Sequence, residues 1–143
     1  MGQKHIDRAI QVIADKTGGG DEGYCVLALL DGEGYPTAST LSLSKADGIG
    51  ELTFCVHADS NKVRRARQDR RASVCFSSTG HNITLVGTME VLTDPQTKKD
   101  MWYDALGGMF AGVDDPAYCV LRFTTKRYTL FFTDDYETIS GAV

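Results

Sequence analysis

The chain has 143 residues, of which 42% are hydrophobic and 24% charged, and its formal net charge is −4. A chain of this length and composition is typical of one globular domain, residues 1–143, that folds without metals or disulfides. The acidic balance argues against nucleic-acid binding, and no apolar run has the length of a membrane span. We therefore expect neither kind of partner.

The four cysteines stand apart in apolar, strand-like runs, without the paired spacing or nearby histidines that build a metal site. They are typical of small buried side chains in a reducing compartment, so no metal is expected. The first sixteen residues are charged and periodic, which predicts no signal peptide. These features together predict a cytoplasmic protein.

Hydrophobic spacing predicts the helices and strands in chain order. Helices are predicted over residues 3–16, from Asn61 or Lys62 onward, and from Thr93 or Asp94 to about Leu106. Strands are predicted at 24–30, 37–44, 52–56, 72–78 and 82–92, with a final pair at 118–124 and 128–133. The first strand is apolar throughout, which predicts burial on both faces. Six or seven mostly antiparallel strands with about three helices favour a closed or partly closed β-barrel.

One strand–turn–helix segment has the chemistry of an anion site. A strand ending near Val56 is followed by a turn with Ser60 and by a helix that starts near Lys62. A hydroxyl, an ammonium and the unpaired N–H groups of a helix start suit a phosphate, and the helix dipole adds positive charge there. The spacing alone favours equally the alternative that Ser60 only caps the helix and Lys62 is a solvated first-turn residue.

The second predicted strand is unusually rich in hydroxyl groups, and they fall on both of its faces: Thr37, Ser39, Thr40, Ser42 and Ser44. Solvent exposure of an outer strand explains only some of them. In the strand at 82–92, Gly87 predicts a bulge or a close backbone approach.

Four short motifs follow one another along the chain: Phe54-x-x-x-x-x-Ser60-Asn61-Lys62-Val63, Gly87-Thr88-Met89-Glu90-Val91 followed by Asp94, Trp102, and Phe110-x-Gly112-x-Asp114-Asp115-Pro116. In this order they resemble the FMN-binding split-barrel family of pyridoxamine 5′-phosphate oxidase, and more closely its short general-stress-protein branch. The resemblance covers nearly the whole chain. It implies a mainly β split barrel with helices and FMN as the cofactor.

The resemblance implies that Ser60 and Lys62 contact the FMN phosphate, in agreement with the chemistry of that turn. Ser39 stands where the family usually has an arginine that binds the same phosphate. Because a charge-assisted contact is lost, FMN binding here would lean more on Arg64, Arg65 and hydroxyl groups.

Further cofactor contacts implied by the resemblance are Thr40, Leu41, Ser42, Val56, His57, Asn61 and Asn82. The first three would run under the flavin ring. Val56 stands where the family often has threonine, which removes a donor. Asn82 matches a position where the family uses glutamine toward the flavin, and the alternative is an amide that caps a turn.

The resemblance also implies a homodimer, because family members usually place the flavin at the subunit interface. A flat apolar ring has to be covered by other side chains. The aromatic candidates, each of which is also a candidate core residue, are Trp102, Phe110, Tyr118 and Tyr128.

The carboxyl-terminal residues argue against one activity of the family. True pyridoxamine phosphate oxidases end in a signature with arginine and histidine, whereas this chain has Asp134, Asp135 and Glu137 there. These carboxylates would repel a phosphorylated substrate, so no vitamin B6 oxidase activity is expected. The leading hypothesis is a flavin-dependent oxidoreductase that exchanges electrons with a small-molecule donor or acceptor.

Two alternatives stay open. One is a protein that carries or buffers FMN during stress without turnover. The other is a protein that binds haem or a deazaflavin, and haem would need His57 or His81 as an axial ligand. Both histidines are near the proposed site in sequence, but a surface or turn role is the more frequent one, and no residue is identified as a catalytic acid or base.

Overall fold

The computed structural model describes residues 2–17 and 23–143. The elements in chain order are α1 (Gln3–Asp15), β1 (Tyr24–Leu30), β2 (Pro36–Ser42), β3 (Lys45–Asp47), β4 (Glu51–His57), α2 (Asn61–Gln68), β5 (Arg71–Ser77), β6 (His81–Leu92), α3 (Pro95–Met101), a 3-10 helix (Asp104–Gly108), β7 (Tyr118–Phe132) and β8 (Glu137–Ala142). The predicted mainly β architecture with three α-helices is confirmed.

The strands form one antiparallel sheet in the order β2-β1-β5-β6-β7-β4-β3, and β8 pairs with β7. Only Leu43 and Ser44 separate the edge strands β2 and β3 in sequence. Because a residue spans at most about 3.6 Å, the two edges must lie close together. The backbone N–H of Leu43 bonds to Gly23 beside β1, and that of Ser44 bonds to Thr53 of β4. The sheet therefore curls round into a split barrel.

The inward faces of the strands and one face of each of the first two helices form the main core. Its largest fully buried side chains include Leu27, Leu52, Phe54, Phe76 and Phe123. The first helix contributes Ala9 and Ile13, and α2 contributes Val63 and Ala66. Removing these apolar side chains from water is the main driving force for docking both helices on the barrel.

The two longest strands, β6 and β7, approach each other closely at Gly87. The register between β6 and β7 shifts between Val86 and Gly87, which is the predicted bulge. A Cβ atom at this position would lie 1.9 Å from the carbonyl oxygen of Thr124. The predicted close backbone approach is therefore confirmed, and only glycine fits between the two strands here without a shift of β7.

The predicted helix ending near Leu106 is wrong in its second half. Asp94 caps α3 as expected, and its carboxylate accepts a 3.0 Å hydrogen bond from the N–H of Thr97. The helix then ends at Met101, because Trp102 takes an extended conformation and packs its ring edge-on against Tyr118. A separate 3-10 helix follows. Tertiary packing of the tryptophan thus overrides the continuous helical pattern.

The strand prediction is wrong in three places. The pair expected at 118–124 and 128–133 is one continuous strand, β7, and its partner β8 has the exposed, weakly apolar sequence ETISGA. The short strand β3 lies in a segment that resembles a turn. The described residues therefore form eight strands instead of six or seven. In β1, alternate residues are only half-buried, so its outer face is not covered as expected.

Candidate functional site

A cavity of about 280 Å³ opens where β4 meets the start of α2. Its lining residues come from the ends of β1, β2 and β4, from the first turn of α2, and from the 3-10 helix with its flanks: Tyr24, Leu41, Ser42, Cys55, Val56, His57, Ser60, Lys62, Tyr103, Leu106 and Met109. Most of these side chains are apolar. The polar ones are Ser42 of β2, His57 of β4, and Ser60 and Lys62 at the start of α2.

The start of α2 faces this cavity through Ser60 and Lys62. Ser60 has an extended backbone, and its hydroxyl accepts a 3.4 Å hydrogen bond from the N–H of Val63. Other N–H groups of the first turn lack helical partners, as at any helix start. Ser60 is therefore a genuine N-cap, and this role leaves its hydroxyl at the cavity rather than removing it from the site.

Lys62 supplies the only formal charge among the described lining residues, and none of them carries a carboxylate. Within residues 2–17 and 23–143, no carboxylate forms an ion pair with this lysine. The helix dipole adds partial positive charge at the same end of α2. The cavity is thus suited to an anionic group held at the helix start, with an apolar remainder.

Arg64 is committed to the turn before α2. Its guanidinium donates to the backbone carbonyl of Asp59 at 2.9 Å, to the carboxylate of the same residue at 3.1 Å, and to the side-chain oxygen of Asn61. These contacts brace the turn that presents Ser60. They also occupy the amide of Asn61, which does not line the cavity.

The β4 side of the cavity combines a thiol, an apolar side chain and an imidazole. Cys55 donates to the carbonyl of Met101 and lies 3.7 Å from the hydroxyl of Tyr118. Burial raises the pKa of this thiol, so it is protonated at neutral pH. The exposed His57 ring packs against Phe110 with a centroid distance of 4.7 Å.

The family model described as pyridoxamine 5′-phosphate oxidase matches residues 18–132. The chain belongs to this family. No curated protein sequence matches the chain significantly. None of the helices in the described ranges is long and apolar enough to cross a lipid bilayer.

Several solved structures share the fold of this chain. A Clostridium acetobutylicum protein related to general stress protein 26 of Bacillus subtilis superposes with a TM-score of 0.86 at 20% identity, covering 100% of this chain and 97% of that chain. General stress protein 26 from Bacillus anthracis gives a TM-score of 0.71 at 17% identity, covering 97% and 98%. A heme binding protein from Mycobacterium smegmatis gives 0.71 at 21% identity, covering 96% of this chain and 57% of that chain.

The cavity brings together six of the residues to which the family resemblance assigns a cofactor role: Leu41, Ser42, Val56, His57, Ser60 and Lys62. The other four lie outside it. Ser39 is half-buried opposite Leu27, and Thr40 is exposed opposite Val26. These two residues immediately precede Leu41, the first residue of β2 that lines the cavity.

Asn82 is exposed near the start of β6. Its side-chain oxygen accepts hydrogen bonds from the hydroxyl of Thr84 at 3.2 Å and from the thiol of Cys75 at 3.6 Å. This amide is thus held on the outer surface of the sheet. Asn82 does not belong to the cavity of this chain.

Sequence reasoning missed the part of the lining that surrounds the 3-10 helix: Tyr103, Leu106 and Met109. Apolar residues on both sides of the Gly107-Gly108 pair were an available signal. The aromatic residues expected to cover the flavin do not line the cavity. Phe110 and Tyr118 are buried beneath the 3-10 helix, and Trp102 packs against them. Tyr128 instead lies over Gly141 of β8.

The loop after the 3-10 helix is held by Asp115. Its carboxylate accepts hydrogen bonds from the N–H groups of Ala111 at 2.8 Å and Ala117 at 2.9 Å, which lower the pKa of this carboxyl. The backbone carbonyl of Asp115 accepts a 3.0 Å hydrogen bond from the ammonium of Lys98. Local hydrogen bonds thus fix the segment that follows the cavity wall.

A cluster of His5, Asp135 and Glu137 lies apart from this cavity, and its potential ligand atoms are within 4.8 Å of one another. His5 and Asp135 form a 2.9 Å contact, and the carboxylate of Asp135 also accepts from the N–H of Glu137. These contacts join α1 to the turn between β7 and β8. They account for the arrangement without an ion.

Proposed function

We propose that the chain binds FMN in this cavity and acts as a flavin-dependent oxidoreductase, not as a pyridoxamine phosphate oxidase. The observation that carries the proposal is the Lys62 ammonium, unpaired within the described residues, beside Ser60 at the open start of α2. This set of donors suits a phosphate monoester. The apolar remainder of the lining suits a planar ring system.

The chain's own residues divide the work of binding. The hydroxyl of Ser60, the ammonium of Lys62 and the first-turn N–H groups would hold the phosphate, while Leu41, Val56 and Leu106 exclude water from the apolar part. Bound FMN would supply two-electron chemistry through its isoalloxazine ring. His57 is the one imidazole in the lining and can exchange a proton with a small-molecule donor or acceptor.

The test compares FMN with riboflavin, which lacks the phosphate. Binding is followed by flavin fluorescence for the wild type, for Lys62→Ala and for Lys99→Ala, a matched control on the exposed surface of α3. Loss of a charge-assisted contact costs about 1.5–3 kcal/mol, which is roughly ten- to hundredfold in Kd. We expect this loss of affinity for FMN in Lys62→Ala, and no such loss for riboflavin or in Lys99→Ala. Equal affinities of the wild type for the two flavins would overturn the proposal.

Turnover separates an oxidoreductase from an FMN carrier or buffer. The described residues of the lining include no carboxylate that could serve as a general base, which favours the carrier. NAD(P)H oxidation with bleaching of the bound flavin, catalysed at a constant rate over many cycles, supports the oxidoreductase. Stable yellow flavin in the presence of the reductant supports the carrier.

Haem is the second candidate ligand, and His57 is the observation that favours it. This imidazole lines the cavity, whereas His81 packs against Phe132 on another part of the barrel. A haem-binding role would therefore use His57 as the axial ligand. A Soret band that shifts in His57→Ala and not in His81→Ala supports haem, and a parallel titration with a deazaflavin tests the remaining alternative.

We also propose that two copies of the chain pair through the outer face of the sheet, completing the flavin site. A patch of this face on β1, β5 and β6 is uncharged, mostly small and half-buried: Val26, Ala28, Leu30, Ser73, Cys75, Thr84 and Val86. Two charged residues, Arg71 of β5 and Glu90 of β6, lie on the same face. A half-buried uncharged patch with charged residues on the same face is typical of a surface covered by a partner. A second copy is the occupant because the flavin site of family members is shared between subunits.

The oligomeric state tests this pairing. Light scattering on the eluting protein should show a dimer for the wild type and a monomer for Val26→Glu, since an unpaired carboxylate would be buried in the interface. Thr93→Glu adds the same charge at an exposed position before α3 and should stay dimeric. A monomeric wild type with normal FMN affinity would contradict the pairing while leaving the FMN site intact.

A further inference from the structure

The proposed phosphate site is short of positive charge. A phosphate monoester carries a charge of about −1.5 to −2 at neutral pH. The described lining offers one cation, Lys62. The position of the family arginine is occupied by Ser39, whose hydroxyl is uncharged. A second cation that reaches the start of α2 would complete the neutralisation, and the chain has several arginines on that helix.

Arg64 shows how far an arginine of α2 reaches. Its guanidinium folds back along the helix to Asp59, five residues earlier, and to Asn61, three residues earlier. Side chains on an α-helix lean toward its N-terminus, so this direction is the general one. An Arg65 side chain that extends over the same number of residues would reach Ser60, five residues earlier, and Lys62, three residues earlier.

The rotation of the helix places Arg65 on the correct side. Each residue turns by about 100°. Val63 and Ala66 are buried and so define the face of α2 against the core. Lys62 and Arg65, three residues apart, then share one flank of the helix, while Arg64 lies on the opposite flank.

The environment of Arg65 also distinguishes it from its neighbours. Arg65 is half-buried, whereas Arg64 and Arg67 are exposed. Arg64 is paired with Asp59, but within the described residues no carboxylate forms an ion pair with Arg65. A guanidinium without an ion-pair partner, on the same flank of the helix as the Lys62 ammonium, is stabilised if an anion binds between the two.

We propose that Arg65 is the second cation of the phosphate site and binds the FMN phosphate together with Lys62. This inference rests on the proposed FMN function. It assigns to one turn of α2 the role that an arginine on the second strand plays elsewhere in the family. The planar, rigid guanidinium of an arginine can donate to two phosphate oxygens at once.

The experiment measures FMN and riboflavin affinities at fixed ionic strength for Arg65→Gln and Arg65→Lys. Arg67→Gln is the matched control, because it removes an exposed arginine from the same helix on a different flank. We expect Arg65→Gln to weaken FMN binding roughly tenfold or more, with riboflavin affinity unchanged. Arg65→Lys should restore part of the loss, and Arg67→Gln should leave both affinities within about twofold because exposed charges are screened.

Equal effects of Arg65→Gln and Arg67→Gln would overturn the assignment. If Lys62→Ala lowers the affinity for FMN but not for riboflavin, while Arg65→Gln changes neither affinity, this inference fails and the proposed function stands. If the wild type binds FMN no better than riboflavin, both fail. Thermal unfolding of each variant checks that the fold is retained.

Discussion

Lys98 and Tyr118 are joined by two contacts. The ammonium of Lys98 lies 5.2 Å from the centroid of the Tyr118 ring, and the Tyr118 hydroxyl donates a 2.8 Å hydrogen bond to the backbone carbonyl of Lys98. Both side chains are buried. This pair joins the end of α3 to the start of β7, directly beneath the segment of the 3-10 helix that lines the cavity.

Tyr118→Phe should destabilise the protein by about 0.5–1.5 kcal/mol, because the buried carbonyl of Lys98 loses its hydroxyl donor while the ring is kept. Urea unfolding measures the change. Tyr136→Phe removes a hydroxyl from an exposed ring in the turn between β7 and β8 and should have almost no effect. Equal stabilities of the wild type and Tyr118→Phe would show that the hydroxyl bond contributes nothing net.

Gly87→Ala should separate β6 from β7, because its Cβ atom would lie 1.9 Å from the carbonyl oxygen of Thr124. Overpacking of this kind costs about 1–3 kcal/mol, and a clash with backbone has no flexible side chain to relieve it. Urea unfolding and the melting temperature measure the loss. Gly32→Ala meets no atom within 4 Å and should unfold as the wild type does. A fully stable Gly87→Ala variant would contradict the close crossing.

His81 should make stability fall on mild acidification. Burial and then the nearby positive charges of Lys16 and Arg8 lower the pKa of this imidazole below its usual value of about 6.5. The unfolded chain therefore binds the proton more readily, so stability is complete above pH 6.5 and is lost as the pH falls from there toward the folded-state pKa. The hydroxyl of Ser78 lies 3.1 Å from Nδ1 of the His81 ring, and the ring of Phe132 packs against the imidazole.

His81→Gln isolates this effect. Unfolding free energies are measured by urea titration between pH 5 and pH 7.5 for both proteins. The curve of the variant should be flatter between pH 5 and 6.5, while the contributions of all groups common to both proteins cancel in the difference. Parallel curves would contradict the lowered pKa of His81.

Ser39→Arg should strengthen FMN binding if the cavity is the flavin site. The new guanidinium would restore the charge that the family usually places on the phosphate, worth about 1.5–3 kcal/mol or roughly ten- to hundredfold in Kd. Thr37→Arg places the same charge two residues earlier on the same half-buried face of β2 and is the control. An identical gain for the two variants would show only a general electrostatic effect.

Local signals in the sequence determined the elements around the proposed phosphate site. Ser60 caps α2 and Asp94 caps α3, as their positions before a helix predict. The alternating pattern of β6 predicted a strand, and the glycine at position 87 predicted a bulge or a close backbone approach within it. These features depend on residues close together in the chain, and neighbouring side chains encode them directly.

Only the tertiary structure decided where α3 ends, which strands exist at the edges, and what lines the cavity. Trp102 leaves the helix to pack on Tyr118, a residue sixteen positions later in the chain. The strand β8 exists because β7 offers a free edge, although its own sequence is weakly apolar. The cavity itself depends on the 3-10 helix meeting β4 and α2. Contacts between residues distant in sequence stabilise all three features, and no local pattern encodes them.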